Sequence, residues 1–275
     1  MVVVIIKQLY EYINYDAGIN TLVSSYIREY DISKANINVL YKYGVIDQET
    51  YNRCLCMEKL EREIFIGKLQ KQNPKSVEVL QKGIIEAKRR LFLANNIKPE
   101  EVLCIKNDAV FLINKILKET KFDNIEFLHK NTYSSYMKID KIEFYYYLNI
   151  MDRKEVLDIK GISQNIQNYH QNYLIGFIKD IFGTLQTFGS TNAIRKFNKF
   201  MNNYLNLRMD LGYYMDLDKK CYKIKKISNY MDNLYVESLA EKDKIYIDYS
   251  YNLHILNAIG SNITNLILNG NGSTF

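Results

Sequence analysis

The stretch Val102-Leu103-Cys104-Ile105-Lys106-Asn107-Asp108-Ala109-Val110-Phe111-Leu112-Ile113 constrains this chain most. Two short apolar runs flank a polar step, a pattern that predicts a hairpin turning at Lys106-Asn107 with Asp108 at its tip. A second extended run, Tyr26-Ile27-Arg28-Glu29-Tyr30-Asp31-Ile32-Ser33, carries Asp31 to its end and passes into a helix-like segment. If the two strands are adjacent, both carboxylates reach one sheet end. Carboxylates so placed can hold Mg²⁺ against a triphosphate: the ion prefers oxygen ligands, takes one or two carboxylates plus substrate phosphates, and in pairs clamps an in-line phosphoryl displacement. Glu29 shares the strand face of Asp31 and offers an auxiliary carboxylate. Taken singly, an Asp closing an apolar strand is most often a turn or cap residue, because its side chain satisfies backbone N–H groups.

Punctuation organises the rest. Residues 34–43 can be helical with Gly44 as the stop, and Asp47-Gln48-Glu49-Thr50 opens another helix. A third runs from about Cys56 to Lys71, and Asn73-Pro74 supplies an N-cap and a first-turn proline for a fourth. There Val77, Leu80, Ile84, Ala87, Leu91 and Ala94 recur at threes and fours, so one stripe packs on a sheet while Lys82, Lys88, Arg89 and Arg90 stay outside it. Residues 124–127, 132–137 and 141–147 read as further strands, and 165–210 as helices broken at Gly183 and Gly189. Residues 244–249 alternate like a strand ahead of an apolar helix from about 253 to 268. The fold class is α+β: a mixed or antiparallel sheet backed by helices over 1–163, then a mostly helical region, 164–275.

Composition narrows the chemistry. With 24 Tyr, no Trp and 2 Pro in a Lys/Asn-heavy chain, the texture is that of AT-rich coding, common in phages and low-GC bacteria. Cys54-x-Cys56 lacks zinc-knuckle spacing, Cys104 and Cys221 are scattered, and His129, His170 and His254 are far apart in sequence. There is no glycine-rich phosphate loop of the Walker or Rossmann type. The opening run Met1-Val2-Val3-Val4-Ile5-Ile6 is too short for a signal peptide or membrane span, and no later stretch reaches 18 uninterrupted apolar residues. A cytoplasmic protein, in the host cytoplasm if phage-encoded, is expected.

The order of these parts resembles the palm and thumb of family B DNA polymerases in strongly reduced form. That family has a D-x-x-S-L-Y-P-S pattern where this chain has Asp31-Ile32-Ser33-Lys34-Ala35-Asn36-Ile37-Asn38, and Tyr-Gly-Asp-Thr-Asp-Ser where it has Ile105-Lys106-Asn107-Asp108-Ala109. The second aspartate is kept; the first is Lys106. Lys130-Asn131-Thr132-Tyr133 stands in the place of a Lys/Tyr element, and Asp158-Ile159-Lys160-Gly161 in that of a Lys-Gly step before the thumb. Family A and reverse-transcriptase palms also pair such aspartates; the Lys-Gly step favours family B. The resemblance runs from residue 24 to about 200, with no motif intact.

It implies Asp31 and Asp108 as catalytic metal ligands, Mg²⁺ as cofactor and DNA or RNA as partner. In the place of the fingers, Lys59, Arg62 and Lys68 would face triphosphate, and Asn36 would stand where the family has its sugar-discriminating tyrosine. Residues 192–226 hold nine Lys/Arg against three Asp, the whole of the chain's +6 surplus. There Arg195, Lys196, Lys199, Lys219, Lys220 and Lys223 interleave with Phe197, Phe200, Tyr204, Tyr213, Tyr214 and Tyr222. With Lys160, this has the makings of a backbone-tracking, base-stacking surface, or equally of a solvated face whose aromatics turn inward. The enzyme question stays open between a minimal nucleotidyltransferase and a polymerase-derived binding protein without catalysis. The alternative is a non-enzymatic α+β interaction protein of a phage or low-GC bacterium, serving a replication, transcription or host-takeover complex.

Overall fold

Runs of strands and runs of helices, segregated along the chain, give an α+β molecule, whose computed structural model describes residues 9–149, 154–214 and 239–268. Among the described residues eight strands form an open antiparallel sheet in the order β1-β3-β4-β2-β6-β7-β8, with β5 beside β6. These are β1 (Asn14–Asp16), β2 (Thr21–Ile32), β3 (Val102–Lys106), β4 (Ala109–Ile113), β5 (Lys121–Phe122), β6 (Ile125–Ile139), β7 (Ile142–Asn149) and β8 (Lys154–Lys160). Among the described residues the helices are α1 (Ala35–Lys42), α2 (Gln48–Cys56), α3 (Lys59–Gln72), α4 (Lys75–Ala94), α5 (Gln164–His170), α6 (Leu174–Leu205) and α7 (Leu239–Leu268). Two compact units divide the chain, one of residues 1–19 and 26–132, the other of 20–25 and 133–275. The long strands β2 and β6 give a segment to each.

In the first unit the hairpin forms where the sequence predicts it. Lys106 pairs with Ala109 across a turn of Asn107 and Asp108. Asn107 takes a φ of 51°, a left-handed conformation that Asn tolerates better than most residues. On its outer side β4 pairs with β2 in the register Ile27↔Ile113, Glu29↔Phe111, Asp31↔Ala109, and β3 pairs with β1 through Asn14↔Lys106. The core under this sheet takes Tyr30 and Ile32 from β2, Ile105 and Val110 from the hairpin, and Leu40, Leu80, Ile84 and Leu91 from α1 and α4. Gly44 stops α1 at φ 68°, and the Asp47 side chain caps α2 by accepting from the Thr50 N–H at 2.8 Å. Pro74, rather than Asn73, stands at the cap of α4, with no side-chain cap bond; the Ser76 N–H and hydroxyl both donate to the Asn73 carbonyl.

Helix α4 corrects one expectation. Its buried set is Ser76, Leu80, Gly83, Ile84, Ala87, Lys88, Leu91 and Phe92, so Lys88 lies inside, at 0% exposure, while Val77 is 39% exposed. The stripe is rotated towards the row 76-80-84-88-92, four residues apart, which a helix aligns as one ridge.

In the second unit, β6 to β8 form a meander in the register Met137↔Phe144 and Phe144↔Ile159. Strand β6 is continuous where two strands were expected, and the segment carrying Asp158 and Lys160 is itself the strand β8. Gly161 follows at φ 95°, where an added Cβ would lie 2.2 Å from the Lys141 carbonyl oxygen. Helix α6 breaks at Gly189 (φ 78°, ψ 175°) but runs through Gly183; at Gly183 the Tyr146 hydroxyl and a Glu155 oxygen come close enough to meet a Cβ at 3.0 and 3.5 Å. Its Phe177 and Phe200 stack at 3.5 Å in a core completed by Ile255, Leu256, Ile259 and Ile263 of α7. Residues 244–249, expected as a strand, belong to α7. Six alternating residues cannot hold a strand against the longer apolar run that continues them as helix. The opening apolar run at residues 1–6 lies outside the described residues.

Candidate carboxylate site

Period-two alternation sorts the residues of β2. Tyr30 and Ile32 enter the helix-covered core of the first unit, so Glu29 and Asp31 point to the other face. The end of the strand is fixed by main-chain bonds: the Ile32 N–H donates to the Asp108 carbonyl at 3.2 Å and the Ser33 N–H to that of Glu126 at 2.8 Å. Just beyond, the Asn38 amide donates to the Ser33 carbonyl at 2.6 Å, and the Tyr51 hydroxyl donates to the Asn38 side-chain oxygen at 2.8 Å. The turn with Asp108 is tied from its own side, where the Asn107 N–H donates to Asn14 Oδ1 at 3.2 Å.

The two carboxyl groups meet. Asp31, when protonated, donates a hydrogen bond to Asp108, and its acidity is pushed up to about 6, first by burial and then by the Asp108 charge. Lys130 Nζ, 3.9 Å from Asp31 Oδ2, works the other way, and Glu29 adds a smaller upward push. Two carboxylates in one half-buried place resist double ionisation, so one retains a proton well above its ordinary range. Glu29 is one pleat back, within reach of the Asn131 amide at 3.4 Å. Among the described residues no group of three or more His, Cys, Asp or Glu side chains could hold a metal ion. A pair of carboxylates fits an Mg²⁺ that arrives with phosphate ligands, and does not fit an all-protein cage.

Around the pair the chain places cations. Lys106 projects from the end of β3, its ammonium 5.6 Å from the centre of the Phe111 ring. Lys88, buried in α4, feels the charge of Asp108. Sequence reasoning missed it. The signal was there: Lys88 falls four residues after Ile84 and four before Phe92.

The other expected residues that the structure describes stand on α1, α3, β8 and α6. Lys59 and Lys68 are exposed on α3, where Lys59 lies 3.9 Å from Glu63; Arg62 donates to the Met57 carbonyl at 3.2 Å. Asn36 is exposed on α1. Lys160 ends β8 with its ammonium 5.4 Å from the centre of the Tyr145 ring. Arg195 and Lys199 are exposed on α6, while Lys196 pairs with Asp180 at 2.5 Å. Phe197, Phe200, Tyr204 and Tyr214 are buried and Tyr213 packs against them, so these aromatics are core and not stacking platforms; helical spacing turns them inward. Lys219, Lys220, Lys223 and Tyr222 lie outside the described residues.

Fold and site together define an α+β protein that presents a carboxylate pair, with Lys130 beside Asp31, at the end of an antiparallel sheet. Residues 4–265 match the bacteriophage PBS1 gene 130 protein family, and this chain belongs to it. It is a phage protein. No curated protein matches the sequence. No helix among the described residues is long and apolar enough to cross a membrane.

Proposed function

We propose that this is a polymerase-like, nucleic-acid-binding protein of phage replication or transcription, its Asp31 and Asp108 occupying the role of palm carboxylates. The observation that supports it is the hydrogen-bonded pair itself, at the end of β2 and the turn of the β3–β4 hairpin. When bound, a divalent ion would supply Lewis-acid charge to a nucleotide phosphate. Asp31 and Asp108 would hold it, and Lys130 would meet the remaining phosphate charge. Asn36, in place of the family's tyrosine, would discriminate poorly between ribose and deoxyribose.

The lysines favour the form of this reading in which catalysis has been lost. Lys106 replaces the first aspartate of the hairpin motif and puts a cation where the resembled family has a ligand. The alternative, an α+β interaction protein without nucleic acid, leaves the carboxylate pair without a task.

Primer extension in Mg²⁺ or Mn²⁺, alongside binding of primed and single-stranded nucleic acid, tests the proposal. Binding is expected, unchanged or slightly stronger in Asp31→Asn and Asp108→Asn, each of which removes a negative charge. Extension by the unmodified protein above both variants would restore catalysis to the reading. Absence of nucleic-acid binding at physiological salt would overturn it.

A further inference from the structure

Helix α6 is a hairpin of two arms. Residues 174–188 and 190–205 run antiparallel on either side of Gly189, with Phe177 stacked on Phe200 at 3.5 Å and Lys196 paired with Asp180 at 2.5 Å. The apolar row of the first arm, Ile178, Ile181 and Leu185, reaches Phe188 at its next step of three. Leu185 and Ala193 are the last buried residues before the tip on each arm, so Phe188 overhangs the core. It is 66% exposed, more than any other Phe or Tyr among the described residues.

One exposed apolar side chain says nothing by itself; the setting of this one does. The Asn192 amide donates to the Phe188 carbonyl at 2.8 Å and fixes the backbone that carries the ring. Thr187, Ser190, Thr191 and Asn192 flank it in the chain with small hydrogen-bonding side chains. Arg195, further along the second arm, is exposed, and among the described residues no group partners its guanidinium. From residue 181 to residue 209 the chain has no Asp or Glu. A protein interface is anchored by a cluster of apolar side chains, whereas here the ring stands alone among polar groups. A π-face for a base, with hydroxyl, amide and guanidinium donors for phosphate and no carboxylate to repel it, is instead the chemistry that a nucleotide needs. Within a duplex each base face is covered by its neighbours, so the ring calls for an unpaired base.

We propose that Phe188 is a base-stacking site for single-stranded nucleic acid, with Arg195 meeting the phosphate backbone beside it. This rests on the reading that the protein binds nucleic acid, and names the form of it that this hairpin takes.

The chain has no Trp, so Phe188→Trp places the only indole at the tip, where its emission reports stacking. The full-chain variant is titrated with a single-stranded oligonucleotide, with an abasic strand of the same length, which has the phosphates without the bases, and with a long linear duplex. Strong quenching by the oligonucleotide alone is expected. In parallel, Phe188→Ala is expected to bind the oligonucleotide about tenfold more weakly, with the slope of log affinity against log salt unchanged, because no charge has been removed. Quenching by the abasic strand or the duplex equal to that by the oligonucleotide overturns the proposal. So does unchanged affinity in Phe188→Ala, the result expected of a ring that only packs or that enters a pocket of another protein. Either result leaves the nucleic-acid reading standing; absence of nucleic-acid binding by every form overturns both.

Discussion

Asp31 holds its proton to about pH 6, against 3.8 for an ordinary aspartate. Between those values the folded chain binds more protons than the unfolded one, so stability falls as pH rises through this window and the penalty is complete above about 6. Asp31→Asn removes the penalty and leaves an amide that can still donate to Asp108. A pKa unit corresponds to about 1.4 kcal/mol, but Asp31 is a third exposed and screening trims the effect. The variant is therefore expected to be more stable by about 1 kcal/mol at pH 7 and no more stable than the parent near pH 4, read from urea midpoints at both pH values. A destabilised variant at pH 7 would mean that the carboxylate is held by favourable partners instead. At this scale the neighbouring placement of the two aspartates was legible in the sequence, because Asp31 ends one apolar strand and Asp108 turns between two others. It placed Lys88 outside the packed stripe, because a charged side chain is assigned to solvent by type, whereas here Asp108 and the Tyr12 carbonyl compensate its burial.

Among elements, the legible ones are those whose ends carry their own chemistry. Asn107 supplies the left-handed residue for the hairpin, Gly44 ends α1, and Asp47 caps α2. Residues 244–249 misled because local alternation over six residues says nothing of the 30-residue helix that contains them. The Lys160-Gly161 step, noticed as a motif, has a steric reason. Gly161 holds φ 95° with the Lys141 carbonyl in the way of any Cβ, whereas Gly44 holds φ 68° in open space. Backbone strain of this kind costs about 1–3 kcal/mol. Gly161→Ala is thus expected to lose about 3 kcal/mol and Gly44→Ala about 1, measured as urea-unfolding free energies. Equal losses would show that the β8–α5 connection relaxes around the methyl group, and that the motif has no steric origin.

For the whole molecule, charge is the property that sequence gives in amount but not in availability. Arg195, Lys196 and Lys199 read alike in sequence, yet Lys196 is engaged by Asp180 at 2.5 Å while Arg195 and Lys199 are exposed. Their aromatic neighbours Phe197 and Phe200 are buried, so the affinity these cations supply must come from phosphate contacts and be correspondingly sensitive to salt. Each phosphate contact contributes a slope of about 0.9 in log affinity against log salt on duplex DNA. Arg195→Glu with Lys199→Glu is expected to flatten that slope by about 2, and charge reversal at Lys219, Lys220 and Lys223 by up to about 3 more. Lys196→Ala is expected to change it little, because Asp180 already neutralises that side chain. Fluorescence anisotropy on a labelled duplex at four or five salt concentrations gives each slope. If Lys196→Ala flattens it as much as loss of Arg195 does, the ion pair opens on binding; if none of these changes alters it, the nucleic-acid surface lies away from α6 and the 219–223 segment.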